Sequence, residues 1–81
     1  MKRTGRDRFI RNVLTAIGNS GDPSLLPHVE RLLTDGSPLV RGAAVWALGR
    51  LDPARLSSLA TAHAGEPDAT VAEEWAAATG A

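Results

Sequence analysis

The chain repeats itself every 31 residues, and this constrains its fold more than any single motif. Sliding it by that interval lays Phe9, Val13, Ala16, Ile17 and Gly18 on Val40, Ala44, Ala47, Leu48 and Gly49. A second shift reaches Val71, Trp75, Ala78, Thr79 and Gly80. In each copy the apolar positions recur at the spacing that lines one helix face, and a glycine follows where a helix can end. A period of this length fits one helix–turn–helix unit. Such a unit cannot hide its own apolar face, so the copies must stack flank to flank. The expected fold is all-α, an α-solenoid of helix pairs.

Two further helical patterns lie between the repeated ones, DPSLLPHVERLL and DPARLSSLATAHA. Asp22-Pro23, Ser37-Pro38 and Asp52-Pro53 each read as an N-cap followed by proline at the first helical position, where a missing N–H costs nothing. Asp68, one period after Ser37, is the expected cap of the last helix. Pro27 sits inside the second pattern and predicts a distorted first turn. Glycines 18, 21, 36, 49 and 65 read as helix stops and turns. No alternating apolar run suggests a strand. The reading is a single domain over residues 1–81 with five helices, at about 7–18, 23–34, 38–49, 53–64 and 69–79.

Two and a half units are close to the minimum of about three needed for stability, so the ends should be special. Trp75 takes the position of Ala44 and Val13, where a bulky indole can cover an open end, while Glu73 and Glu74 stay wet. At the other end, Ile10 and Leu14 take the positions of Arg41 and Val45, which widens the apolar arc of the first helix. That arc predicts a missing neighbour on the N-terminal side, and weak self-association if the chain is alone.

The chain has no cysteine, so it offers no disulfide, thiolate metal site or cysteine-held cluster. Its two histidines, His28 and His63, fall on different helices without a paired carboxylate motif. No Ser–His–Asp spacing or phosphate-cradling glycine loop is present, and no apolar run approaches a membrane span. The basic start, MKRTGRDR, leads into no secretory core, and a cytoplasmic protein is expected. The zero net charge hides an asymmetry: residues 1–50 carry eight basic and four acidic side chains, residues 51–81 one basic and five acidic. A basic end of this kind suits an anionic partner or is merely a solvated face.

The stretch VRGAAVWALGRLDP resembles the signature of HEAT repeats. The longer stretch RDRFIRNVLTAIGNSGDPSLLPHVERLLTDGSPLVRGAAVWALGR, with Glu74-Trp75 further on, resembles the C-terminal HEAT-like region of bacterial epoxyqueuosine reductases. The resemblance implies a parent oxidoreductase that uses cobalamin and two four-iron–four-sulfur clusters to complete queuosine at the tRNA wobble position. It also implies that those groups are bound in upstream catalytic domains and that this chain is non-catalytic. The chain would then pack on those domains and help hold the tRNA anticodon stem-loop. The alternative is a HEAT-type protein-interaction scaffold unrelated to tRNA.

Arg8, Asn12, Thr15 and Asn19 fall on one polar stripe of the first helix, and their counterparts one period on are Leu39, Ala43, Trp46 and Arg50. Arg11 and Arg41 flank it. Arginine and asparagine can bond phosphates and base edges, and an indole can stack on an unpaired base. The candidate tRNA-binding residues are therefore Arg8, Arg11, Asn12, Asn19, Trp46 and Arg50. Each has a plainer alternative: Trp46 packing over neighbouring helices, Asn19 satisfying its own helix end, the arginines forming a solvated face. Arg41, at the HEAT-type arginine position, suits a structural bond to loop carbonyls or to an acid such as Asp35.

Overall fold

A computed structural model of the chain describes residues 3–79. They form helix α1 (Arg3–Ser20), a 3₁₀ turn (Pro23–Leu25) running into α2 (Leu26–Leu32), α3 (Pro38–Leu51), α4 (Pro53–Ala60) and α5 (Ala69–Thr79). No strand occurs among the described residues. The long helices α1, α3 and α5 lie in a row; α2 and α4 pack behind α3, and α4 also reaches α5. Alone among the helices, α3 packs against every other one. The result is a slab 36 × 29 × 17 Å, two helices deep. This is the expected all-α solenoid.

The caps follow the acids. The Asp22 carboxylate accepts from the Ser24 N–H at 3.0 Å, Asp52 from Arg55 at 3.0 Å, and Asp68 from Thr70 and Val71 at 2.9 and 3.2 Å. Ser37 occupies the N-cap position of α3 but makes no side-chain cap bond. Instead its N–H donates to the Asp35 carboxylate at 3.0 Å. Pro27 falls in the first turn of α2, where its absent N–H leaves no gap, and the distortion it imposes is the 3₁₀ turn before it.

Three expectations need correction. Gly18 and Gly49 do not stop helices, since α1 runs on to Ser20 and α3 to Leu51; the stop after α1 is Gly21, at φ 68°. The fourth helix ends at Ala60, not residue 64, and continues as turns closed by short i→i−3 bonds such as His63 N–H to Ala60 O. The unpartnered apolar residues of α1 are not Ile10 and Leu14. Leu14 is fully buried and Ile10 half-buried, whereas Phe9 is 63% and Val13 39% exposed.

The last correction follows from the repeat. On α5, Val71 lies against Gly42 of α3 and Ala78 against Gly49. The same positions on α3, Val40, Ala44 and Ala47, are all fully buried. On α1 they are Phe9, Val13 and Ala16, on the flank away from α3. A middle helix has two covered flanks and an end helix has one. Leu48 and Val45 are fully buried as well, so α3 is apolar almost all round, as a central helix must be.

Candidate nucleic-acid interface

The polar stripe forms as the spacing requires: Arg8, Asn12, Thr15 and Asn19 are all exposed on α1. Arg11 Nη2 donates to the Asn12 side-chain oxygen at 3.4 Å, and the Thr15 hydroxyl turns back to the Arg11 carbonyl at 3.0 Å. Beside the stripe runs a groove of about 270 Å³ across the helix row. Its walls include Arg11 and Thr15 from α1, Leu39, Ala43 and Trp46 from α3, and Thr70 and Glu74 from α5. A second groove, of about 240 Å³, is lined by Trp46, Gly49, Arg50, Glu74, Ala77 and Ala78. Trp46 and Glu74 line both.

The Trp46 indole bridges two helices. A β-carbon placed on Gly18 would lie 2.5 Å from its Cζ3, so the glycine at that point of α1 exists to admit the ring. On α3 itself the Arg50 guanidinium carbon sits 5.8 Å from the ring centroid, a cation–π distance contributing about 0.5–1 kcal/mol at an exposed site. Half-buried and packed against the core, Trp46 is first a packing residue.

Of the six candidates, the structure brings Arg11, Trp46 and Arg50 to the two grooves. Asn12 joins them through Arg11. Arg8 and Asn19 lie on the exposed stripe and line neither groove. Sequence reasoning missed Glu74 as a lining residue of both grooves, where its carboxylate opposes a phosphate. The signal was available: one more period carries Arg8, Asn12 and Thr15 past Leu39, Ala43 and Trp46 to Thr70, Glu74 and Ala77.

On the loop side, Arg41 is structural. Its Nη1 donates to the Asp35 carbonyl at 2.8 Å, and its Nε and Nη2 grip the Glu66 carboxylate at 3.2 and 2.9 Å. The acid is thus Glu66, not Asp35. Burial pushes the Glu66 carboxyl up, but the Arg41 bonds and the Asp68 N–H outweigh it and hold it below its ordinary value. Asp35, one period before Glu66, accepts from Arg6 Nη2 at 2.7 Å. Each acid also accepts the N–H two residues on, Ser37 at 3.0 Å and Asp68 at 3.1 Å. Arg6 stands one turn before Ile10, the position equivalent to Arg41, and replaces the arginine missing there. Behind the row, Arg55 ties α4 to Glu30 of α2 at 2.8 and 3.2 Å.

The His63 ring stacks on Trp75 at 4.9 Å and 15°, in the turn after α4. His63 therefore lies past the end of the helix expected to carry it. Among the described residues no group of three or more His, Cys, Asp or Glu could hold a metal. With no cysteine in the chain, its residues do not fit an iron–sulfur cluster. No helix among the described residues is long and apolar enough to cross a membrane.

A stacked row of helix pairs with an arginine tied to the inter-helix loop defines a class, and the family model for HEAT repeats matches residues 3–79. The chain belongs to the HEAT-repeat family. Over 66 residues, 79% of the chain, it is 36% identical to the epoxyqueuosine reductase of Bacillus subtilis (strain 168), of which it spans 17%. Over 72 residues it is 35% identical to an uncharacterized protein of Geobacillus stearothermophilus, of which it spans 33%. No solved structure matches the chain.

Proposed function

We propose that this chain is the accessory, non-catalytic helical domain of a cytoplasmic epoxyqueuosine reductase-like protein. In this reading it packs on catalytic domains elsewhere in that protein and helps hold a tRNA anticodon stem-loop. The observation that carries the docking role is the placement of Arg11 and Arg50 in the two grooves that share Trp46 as a wall. Arg8, Asn12 and Asn19 extend the same polar surface along α1. Arg41 and Arg55 have their guanidinium groups committed to internal acids and Arg6 to Asp35, and the docking cations in this reading are the three on the stripe and grooves, Arg8, Arg11 and Arg50. Cobalamin and clusters would be held outside this chain and would supply the reduction.

The test is titration of the full chain with a fluorescent anticodon stem-loop at two salt concentrations. Three phosphate contacts predict about a tenfold loss of affinity between ~50 and ~150 mM salt. Arg8→Ala or Arg11→Ala should each weaken binding about threefold to tenfold and flatten the salt dependence. Binding unchanged in both variants, or none at low salt, overturns the docking role.

A further inference from the structure

We propose that the groove across the helix row holds one unpaired guanine base and that Glu74 selects it, a reading that rests on the RNA-docking role above. The period lays Asn12, Ala43 and Glu74 at one register on α1, α3 and α5. Thr15, Trp46 and Ala77 share the next register. On the middle helix this surface is apolar: Leu39 is 42% exposed, Ala43 and Trp46 are half-buried, and the indole N–H is their one polar side-chain group. The groove of about 270 Å³ runs over these three, with Arg11 and Thr15 on the α1 side and Thr70 and Glu74 on the α5 side. Sites for drug-sized ligands run to about 300–1,000 Å³, so this groove suits an occupant no larger than a single base.

Glu74 is the one acid in the walls of either groove. Among the described residues its carboxylate has no ion pair, unlike Glu30, Asp35 and Glu66. Its neighbour Glu73 is exposed, but Glu74 is half-buried, with its Cγ 3.8 Å from where a β-carbon on Gly42 would stand. The acid is thus held over α3, at the groove. A carboxylate accepts hydrogen bonds and donates none. It repels phosphate and suits an edge that offers two adjacent N–H donors. Guanine has that edge, N1–H beside the N2 amine, and both carboxylate oxygens can take it. Adenine and cytosine set one amine beside an acceptor, and uracil sets one N–H between two carbonyls. A base lying on Leu39 and Ala43 with this edge on Glu74 turns its sugar and phosphate toward α1, where Arg11 lines the groove and Arg8 is exposed. A basic peptide side chain would also suit Glu74, but Arg11 and Arg50 in the same two grooves oppose it.

Fluorescence titration of the full chain at low salt tests this, with RNA stem-loops whose loops are uridines throughout or carry guanosine, inosine or adenosine at each position in turn. At one position guanosine should bind at least about fivefold tighter than adenosine or than inosine, which lacks the N2 amine. Glu74→Gln and Glu74→Ala should each abolish that preference by weakening the guanosine loop alone. The all-uridine loop should bind them as well as before or slightly better, because a charge facing the phosphates is gone. Helical circular dichroism checks that both variants fold, and a loss confined to one loop is not what general damage to the fold produces. Equal affinity for all loops in the unsubstituted chain, or variants that tighten every loop alike, overturns selection by Glu74 and leaves the docking role standing. No binding of any loop overturns the docking role itself, and this proposal with it.

Discussion

The Trp46 indole stands where a side chain on Gly18 would have to be, 2.5 Å from the place of its β-carbon. One residue thereby locks α1 to α3 and walls both grooves of the candidate interface. Packing and surface chemistry are joined at this ring, so substitutions there must be chosen to separate the two.

Gly18→Ala should destabilise the fold by about 1–3 kcal/mol, because a rigid ring pressed between two helices has to move. Gly42→Ala should do the opposite. Its β-carbon would meet only Glu74 and Val71, at 3.8 and 4.0 Å, and alanine favours the helix by up to about 1 kcal/mol. Urea unfolding of both variants measures the contrast; equal effects would mean the ring yields freely. Trp46→Leu should lower the cost of Gly18→Ala, and a double-mutant cycle reads that coupling.

Arg41 holds the Asp35 carbonyl and the Glu66 carboxylate with side chains only 14% and 7% exposed for the ion pair. Arg41→Ala strands both acceptors and should cost about 2 kcal/mol, measured as a drop in the urea midpoint. Arg55→Ala, whose pair with Glu30 is 48% and 28% exposed, should cost at most about 1 kcal/mol.

The acidic limb of stability has a defined sign. Glu66 and Glu30 both titrate below their ordinary value of 4.5, the former because the Arg41 and Asp68 bonds outweigh burial, the latter mainly through the Arg55 bond. A carboxylate whose folded pKa is depressed contributes stability above its unfolded pKa and loses it as pH falls through the folded value. Stability from these groups should be level above about pH 5.5 and fall below about pH 4.5. Glu66→Gln should be less stable at neutral pH and show a shallower acid decline in urea titrations at pH 7, 5 and 3; an unchanged acid slope would remove Glu66 from the account.

Gly21 is needed for its backbone and not for space, since nothing lies within 4 Å of an added β-carbon while φ is 68°. Gly21→Ala should therefore cost about 1 kcal/mol, and Gly21→Asn, which tolerates that conformation, clearly less. Thermal unfolding of the pair distinguishes backbone strain from crowding.

The repeat made the architecture legible because each apolar position carries its own evidence thrice over. Val40, Ala44, Ala47 and Leu48 could be assigned to the core from spacing alone, and the pairs Asp22-Pro23, Ser37-Pro38 and Asp52-Pro53 placed three helical starts. The ends were harder. Gly18 looks like a helix stop because glycine serves both termination and close approach, and only the position of a ring on another helix separates the two. Ile10 and Leu14 drew attention as excess apolar residues, but which flank of an end helix is covered depends on where its neighbour lies. Glu74 escaped because the polar stripe was followed for one period and not two. Glu66 escaped because its partner, Arg41, lies 25 residues away across a turn whose path no local pattern fixes.

A long solenoid can melt like a zipper, losing its outer units while the interior persists, since each unit leans only on its neighbours. Here every helix leans on α3. With that one element as the common support, loss of α3 removes the footing of every other helix at once, so the molecule should open largely in a single step despite its modular pattern, and amide exchange in α2 and α4 should report nearly the same opening free energy as α3.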